Sequence, residues 1–232
     1  MIETCESSSS SPLPLCPLVP QYNTCGKILE AGVDEVARGC LFGPVYAGAV
    51  ILNPDIPLHK WLNDSKRVSK KRRAVVREWI EETALAWGVA FVDNDDIDRI
   101  NIRNAAMEAM NLAIENLKIK PTFLLVDGNY FQPGLYSKDI PFLTVIAGDA
   151  KYGNIAAASI LAKEHHDEHI QRMILQDATL HEKYDIGKNV GYGTAKHIAG
   201  LKTNGSTRLH RQSFLKRILP VKVDLLDSDD ET

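Results

Sequence analysis

Asp34 and Glu35 stand side by side at the end of an apolar stretch. Two further acids repeat the placement. Asp127 follows the apolar run Thr122–Val126, and Asp149 follows Phe142–Ala147 with only Gly148 between. A carboxylate at the end of a buried strand loses solvation and repels its neighbours, so several at one place need a counter-charge. A hard divalent cation supplies that charge and prefers oxygen ligands. A single such acid reads equally well as a solvated loop residue. Three strand ends together point to a metal site. Neighbouring strand residues face opposite ways, so Asp34 and Glu35 serve one site only under a condition. The strand must end or bend there, or one of the two must offer its backbone carbonyl.

The elements that have to position these acids can be read from pattern. Lys27–Val36 and Val45–Leu52 read as two strands, antiparallel because the link Ala37–Pro44 is short. Gly88–Val92 is a short third strand. Thr122–Val126 and Phe142–Ala147 are strands as well, and parallel strands joined by helices bring their ends to one edge. Ser69 is the N-cap expected for a helix running to about Ala86, with Val75, Val76, Trp79 and Ile80 as its apolar stripe. Asp95 and Asp96 suit the start of a helix that continues to about Leu117. A helix from Asn154 to about Gln176 opens with Ala156, Ala157, Ala158 and Ser159, whose small side chains permit close approach to a sheet. Leu180–Gly193 reads as a loop. A helix follows from Thr194 to about Gly205, then a short one around Leu209–Phe214.

Composition bounds the rest. The chain has 232 residues, 44% hydrophobic and 25% charged, with a formal net charge of −3. This is an ordinary globular composition, able to bury a core without staples. The charge is unevenly spread. Ser65–Arg77 and Ile186–Val223 carry Lys and Arg but no acid. Such tracts could be solvated faces or a phosphate-binding surface. The four cysteines lie at 5, 16, 25 and 40, fit no zinc spacing and suit a reducing compartment. His165 and His169 share a helix face at i, i+4, but His166 replaces the glutamate of the metalloprotease pattern, so a packed or solvated face is expected. No secretory signal or membrane-length apolar run is visible, which makes the cytoplasm the expected location. Residues 1–26, with a serine run and repeated prolines, read as a disordered or loosely docked leader. Residues 27–180 form the expected catalytic domain, 181–218 a helical C-terminal segment and 219–232 an acidic tail.

Taken together the motifs resemble ribonuclease HII, the type 2 ribonuclease H family. That family opens with a Gly-Ile/Val-Asp-Glu strand, a Gly-Arg-Gly turn and a Gly-Pro-Val strand. Here Gly32-Val33-Asp34-Glu35, Ala37-Arg38-Gly39 and Gly43-Pro44-Val45 occupy those places. Asp64-Ser65-Lys66-Arg67 and its basic helix, Ile97–Ile102, the tract Gly148–Lys163, Gly191-Tyr192-Gly193-Thr194 and His210-Arg211-Gln212-Ser213-Phe214 follow in the family's order. The likeness runs from about Ile28 to Phe214. Cys40 stands where the family has proline, and His166 where it usually has arginine.

The resemblance implies an α/β, ribonuclease H-like fold: a mixed sheet flanked by helices, with a small helical C-terminal segment. It implies a metal-dependent endoribonuclease acting on the RNA strand of RNA–DNA hybrids and at ribonucleotides embedded in duplex DNA, as in ribonucleotide excision repair. Asp34, Glu35, Asp127 and Asp149 would be catalytic and would hold two Mg2+ or Mn2+ ions, giving 5′-phosphate and 3′-hydroxyl ends. The backbone of Ala37, Arg38 and Gly39 would read the 2′-hydroxyl, with Lys66 and Tyr192 as further substrate contacts. If position 37 requires a positive φ, alanine is strained there; if φ is negative, the contacts are unchanged. A monomer without a membrane partner is expected. The alternatives are another nuclease of the same fold, such as a resolvase or integrase core, and a non-catalytic hybrid-binding module.

Overall fold

A computed structural model describes residues 18–23 and 28–219. The other residues of the expected leader and those of the acidic tail from 220 onward lie outside this description, as does Lys27. A five-stranded sheet forms the centre. Its strands are β1 (Glu30–Val36), β2 (Val45–Ile51), β3 (Ala86–Val92), β4 (Phe123–Asp127) and β5 (Phe142–Val145), in the order β3-β2-β1-β4-β5. β1 pairs antiparallel with β2 and β2 with β3, while β1–β4 and β4–β5 are parallel. The mixed sheet and its antiparallel start are those expected.

The helices are α1 (Lys70–Thr83), α2 (Asn94–Ile100), α3 (Ile102–Glu115), α4 (Gly153–Gln176), α5 (Thr179–Tyr184), α6 (Ile186–Asn189), α7 (Ala195–Asn204) and α8 (Gln212–Leu215). One sheet face is covered by α3, whose Ala105, Ala106, Ala109, Met110 and Ala113 pack on Val33, Ala47 and Val126 within one cluster. The other face is covered by α4 and α1, through Ala156, Ala157, Ala158, Ile160 and Leu161 against Val76 and Ile80. Each large aliphatic chain so buried contributes about 1.5–3 kcal/mol. The small residues at the start of α4 let it lie directly on the strands. A Cβ on Gly32 would stand 2.1 Å from the carbonyl carbon of Asn154, and one on Gly48 2.5 Å from the oxygen of Ala158.

Several boundaries differ from expectation. The helix foreseen from Asp95 to Leu117 is two helices. Asn101 adopts φ 66°, ends α2, and caps α3 by accepting hydrogen bonds from the N–H groups of Arg103 and Asn104. Asp93, rather than Asp95 or Asp96, is the N-cap of α2. Ser69 does cap α1 by position, but its hydroxyl makes no capping bond. α1 stops at Thr83, and β3 starts at Ala86 rather than Gly88. β5 ends at Val145, and Gly148–Ala150 forms a turn of 3-10 helix. The loop expected over Leu180–Gly193 holds α5 and α6, because Leu180, Tyr184 and Ile186 are drawn into a third cluster with Phe42, Ile170, Leu201 and Leu215.

Part of the leader is docked. Val19 bridges Tyr152, with its N–H donating to the Lys151 carbonyl at 2.9 Å and its carbonyl accepting from Gly153 at 2.8 Å. The buried Glu30 carboxylate accepts from the backbone N–H groups of Tyr22 and Asn23, each at 2.8 Å. Among the described residues no helix is long and apolar enough to cross a membrane.

Candidate active site

Parallel pairing sets Val33 of β1 opposite Val126 of β4, so the next residue along each strand, Asp34 and Asp127, comes level at the sheet edge. Asp127 in turn pairs with Val145 of β5. The chain then turns through Ala147, at φ 53°, into the 3-10 turn that carries Asp149. The Gly148 N–H donates to Asp127 Oδ1 at 2.7 Å, which ties that turn to the end of β4. Acids far apart in sequence therefore meet at one rim, and β1 ends at Val36, immediately after its acidic pair.

The charges respond as close neighbours do. Burial, followed by the charges of Glu35 and Asp127, holds the Asp34 carboxyl well above the usual carboxylate range; Asp149 adds to this and a hydrogen bond from Ser159 opposes it. Burial raises Glu35, with Asp127 adding to the rise and Arg38 opposing it. Asp149 is pushed up to about 6, by burial first, then by Asp64 and Asp127. Asp127 thus bears on all three of the others. Asp34 and Glu35 lie in the last pairs of the β1–β2 ladder, and the charge of Asp127 acts on both.

Each acid is also held by the chain. Asp34 Oδ1 accepts from the Glu35 N–H at 2.7 Å, and Arg38 Nη1 lies 2.9 Å from Glu35 Oε1. Among the described residues no three Asp, Glu, His or Cys side chains are close enough together, as they stand, to hold a metal ion. The donor chemistry nevertheless fits a hard divalent cation. The donors are all carboxylate oxygens, and their mutual repulsion in a buried setting is the disfavoured state that such an ion relieves.

The 64–67 loop closes one side. Ser65 and Ser159 hydroxyls are 2.9 Å apart and buried, which fastens the loop to α4 beside Asp34. Asp64 faces Asp149 and adds to its rise, while the charge of Lys66 opposes that rise. Asp64 and Ser159 had no assigned role in the sequence reading. The acidic pattern there was masked by adjacent cations.

The β1–β2 loop forms the other side. Ala37 sits at φ 69° and is buried, so the strained alternative holds. Its tolerance comes from outside the loop. Cys40 bridges Tyr192, and Phe42 bridges His210. Arg211, fully buried, donates from Nη1 to the Arg38 carbonyl at 3.0 Å, from Nε to Gly43 at 2.8 Å and from Nη2 to Pro44 at 2.9 Å. One guanidinium from the C-terminal segment therefore fixes the whole loop. Arg211 was visible as part of a motif, but nothing in sequence says that its partners are carbonyls of the first motif. Around Gly39 a Cβ would meet no atom within 4 Å, so the loop presents an open face there.

Tyr192 is half-buried rather than free on the surface. Burial raises its hydroxyl to about 12 against the opposing influence of the Ala37 backbone, and Lys163 Nζ lies 5.6 Å above its ring. His165 and His169 form no metal site. His165 Nε2 lies 3.3 Å from Glu81, and His169 Nδ1 lies 2.6 Å from the Tyr46 hydroxyl. His166 is buried beside Asp167 at 3.0 Å.

Comparison with known proteins decides the family. The sequence model described as Ribonuclease HII matches residues 31–217. The chain belongs to the ribonuclease HII family. It is 47% identical over 200 residues to the ribonuclease HII of Bacteroides thetaiotaomicron, covering 85% of this chain and 94% of that one. To the ribonuclease HII of Chlorobium luteolum it is 42% identical over 195 residues, covering 82% and 90%. Among solved structures it is similar to the ribonuclease HII in a PCNA complex from Archaeoglobus fulgidus, with TM-score 0.64 and 25% identity over 80% of this chain and 94% of that one. The ribonuclease H2 of Pyrococcus horikoshii shares the fold, with TM-score 0.63 and 23% identity over 82% and 96%. Bst-RNase HIII in complex with Mn2+ also shares it, with TM-score 0.62 and 17% identity over 84% of this chain and 70% of that one. Membership in this family, with the ribonuclease H-like sheet, bears out the expected family and fold.

Proposed function

We propose that the four-acid rim is the catalytic centre of a divalent-metal-dependent endoribonuclease that cuts the RNA strand of RNA–DNA hybrids and acts at single ribonucleotides within duplex DNA. Family membership makes the chain a metal-dependent ribonuclease H of type 2. The observation that carries the residue assignment is the convergence of Asp34, Glu35 and Asp149 on Asp127, with the three raised together.

In this reading Asp34, Glu35, Asp127 and Asp149 hold two Mg2+ or Mn2+ ions. When bound, the ions supply positive charge to the attacking water and the leaving 3′-oxygen of an in-line displacement. The chain does the rest. The Gly148 N–H orients Asp127, Ser159 steadies Asp34, and Arg38 holds Glu35 at the strand end. The backbone of Ala37, Arg38 and Gly39 presents polar groups to the 2′-hydroxyl, the feature that separates RNA from DNA. Lys66 attracts a phosphate beside Asp149, and Tyr192 offers its ring edge to a sugar. The products are a 5′-phosphate and a 3′-hydroxyl. Residues 27–180 would carry the chemistry and 181–218 would close the substrate cleft, in a cytoplasmic monomer.

The test pairs a variant with matched substrates. Asp127→Asn is expected to bind a hybrid with wild-type affinity in EDTA and to lose cleavage by at least about 100-fold in Mg2+. Undiminished cleavage by that variant sinks the metal assignment. Equal cutting of all-DNA duplex and hybrid by the wild type favours a different nuclease of this fold.

A further inference from the structure

Beside the 64–67 loop lies a cavity of about 360 Å3 that the proposed chemistry does not use. Leu58, His59, Lys60, Trp61, Arg67 and Arg72 line most of it, and no acid does. Trp61 is an aromatic residue of that lining. Lys60 Nζ lies 4.9 Å from the ring centroid and the Arg72 guanidinium carbon 5.4 Å. The Trp61 backbone N–H donates to His59 Nδ1 at 3.3 Å, and the His59 ring stands edge-on to the Trp61 ring at 5.4 Å. Lys60, Arg67 and Arg72 are exposed at its mouth. Arg67 faces Asp64 at 3.7 Å, while among the described residues Lys60 and Arg72 have no ion-pair partner within 4 Å.

We propose that this cavity is a backbone subsite for the duplex arm beyond the cut, with Lys60, Arg67 and Arg72 receiving phosphates and Trp61 receiving the apolar face of a sugar. The inference rests on the nucleic-acid reading of the active site and extends it. The cavity belongs to the same loop as the catalytic rim, since Asn63 lines it and the next residue, Asp64, faces Asp149. Trp61 is three peptide steps from Asp64, at most about 11 Å along the chain. A strand of duplex advances about 3.4 Å per nucleotide, so the cavity falls within roughly three to four nucleotides of the scissile bond. Cations that flank a ring without an acid between them suit a polyanion with alternating charged and apolar surfaces, which is the character of a nucleic-acid backbone. An apolar small molecule would leave Lys60 and Arg72 without an ionic partner.

Salt dependence tests the subsite. Wild type and Lys60→Gln/Arg72→Gln would be titrated with a 24-base-pair hybrid in EDTA, which keeps the hybrid uncut, across a range of salt. The experiment is repeated with hybrids shortened to two base pairs on one arm or the other. Each phosphate contact contributes about 0.9 to the slope of log affinity against log salt. The double variant should show a slope shallower by about 1–2 on the long hybrid and on one shortened hybrid, with wild-type behaviour on the hybrid lacking the other arm. An unchanged slope on the long hybrid overturns the proposal, and so does a loss that persists whichever arm is removed. If the wild type itself fails to bind any hybrid, the proposed function falls first.

Discussion

His210 Nε2 lies 3.1 Å from His197 Nε2, with both rings fully buried between the C-terminal segment and the β1–β2 loop. The tautomers follow from their other partners. The Thr207 N–H donates to His210 Nδ1 at 3.0 Å, so His210 carries its proton on Nε2 and donates to His197. His197 then carries its proton on Nδ1 and donates to the Tyr192 carbonyl at 2.9 Å. The relay runs from Thr207 to Tyr192, which forms an isolated bridge with Cys40, and it needs both imidazoles neutral.

That relay predicts acid sensitivity. Burial and the neighbouring His197 push His210 down to about 4, and burial lowers His197. A histidine whose folded pKa is depressed contributes stability above its unfolded value, near 6.5, and loses it as pH falls toward the folded value. In urea unfolding, wild type should therefore lose on the order of 2 kcal/mol relative to His210→Gln between pH 7 and pH 4.5, a comparison in which the opposite contribution of the raised carboxyls of Asp34, Glu35 and Asp149 cancels. A variant with the same pH slope as wild type would assign the loss elsewhere.

Arg211 should behave as a positioning residue. Its three donors satisfy the carbonyls of Arg38, Gly43 and Pro44. Lysine keeps the charge but not the planar fork, and leaves carbonyls unpaired at about 1–3 kcal/mol each. Arg211→Lys is expected to unfold about 2–4 kcal/mol more easily in urea. Among molecules still folded, the preference for a ribonucleotide over a deoxyribonucleotide at the cut should fall by about 10-fold or more, because the reading loop is no longer fixed. Retained preference in the folded variant would reduce Arg211 to a stability role.

Ala37 and Gly39 separate strain from substrate contact. Ala37 holds φ 69°, where an L side chain costs roughly 1–2 kcal/mol. Ala37→Gly should stabilise the protein by about 0.5–1 kcal/mol after the added freedom of the unfolded glycine is discounted. A destabilised variant would show that the buried methyl contributes more by packing than the backbone loses. Gly39→Ala meets no protein atom within 4 Å, so its melting temperature should match wild type, yet its KM for hybrid should rise several-fold if substrate approaches that face. An unchanged KM would move the 2′-hydroxyl contact away from Gly39.

Much of this was legible in the residues because it is local. Apolar runs and a short connecting turn announce β1 and β2, and an acid at or just beyond an apolar run marks Asp34, Asp127 and Asp149. The pattern departs from the structure where a side-chain cap or a tertiary contact overrides apolar periodicity. Asn101 accepts a positive φ because its amide caps α3, which splits a helix whose apolar period runs on unbroken. Leu180–Gly193 carries loop-like glycines, yet Leu180, Tyr184 and Ile186 are drawn into helical turns by Phe42 and Leu201.

By itself the sequence determined the inventory: a mixed α/β chain, the four acids, the basic tracts and the motif order that places it among ribonucleases HII. Only the tertiary structure decided which groups meet. Parallel register brings Asp34 level with Asp127, the 3-10 turn aims Asp149 at the same rim, and Arg211 reaches back across 173 positions to hold Arg38. The physical reason is that charge repulsion and hydrogen bonding fall off over a few ångströms in space, whatever the separation along the chain, so a site built from distant segments exists only once the sheet has closed.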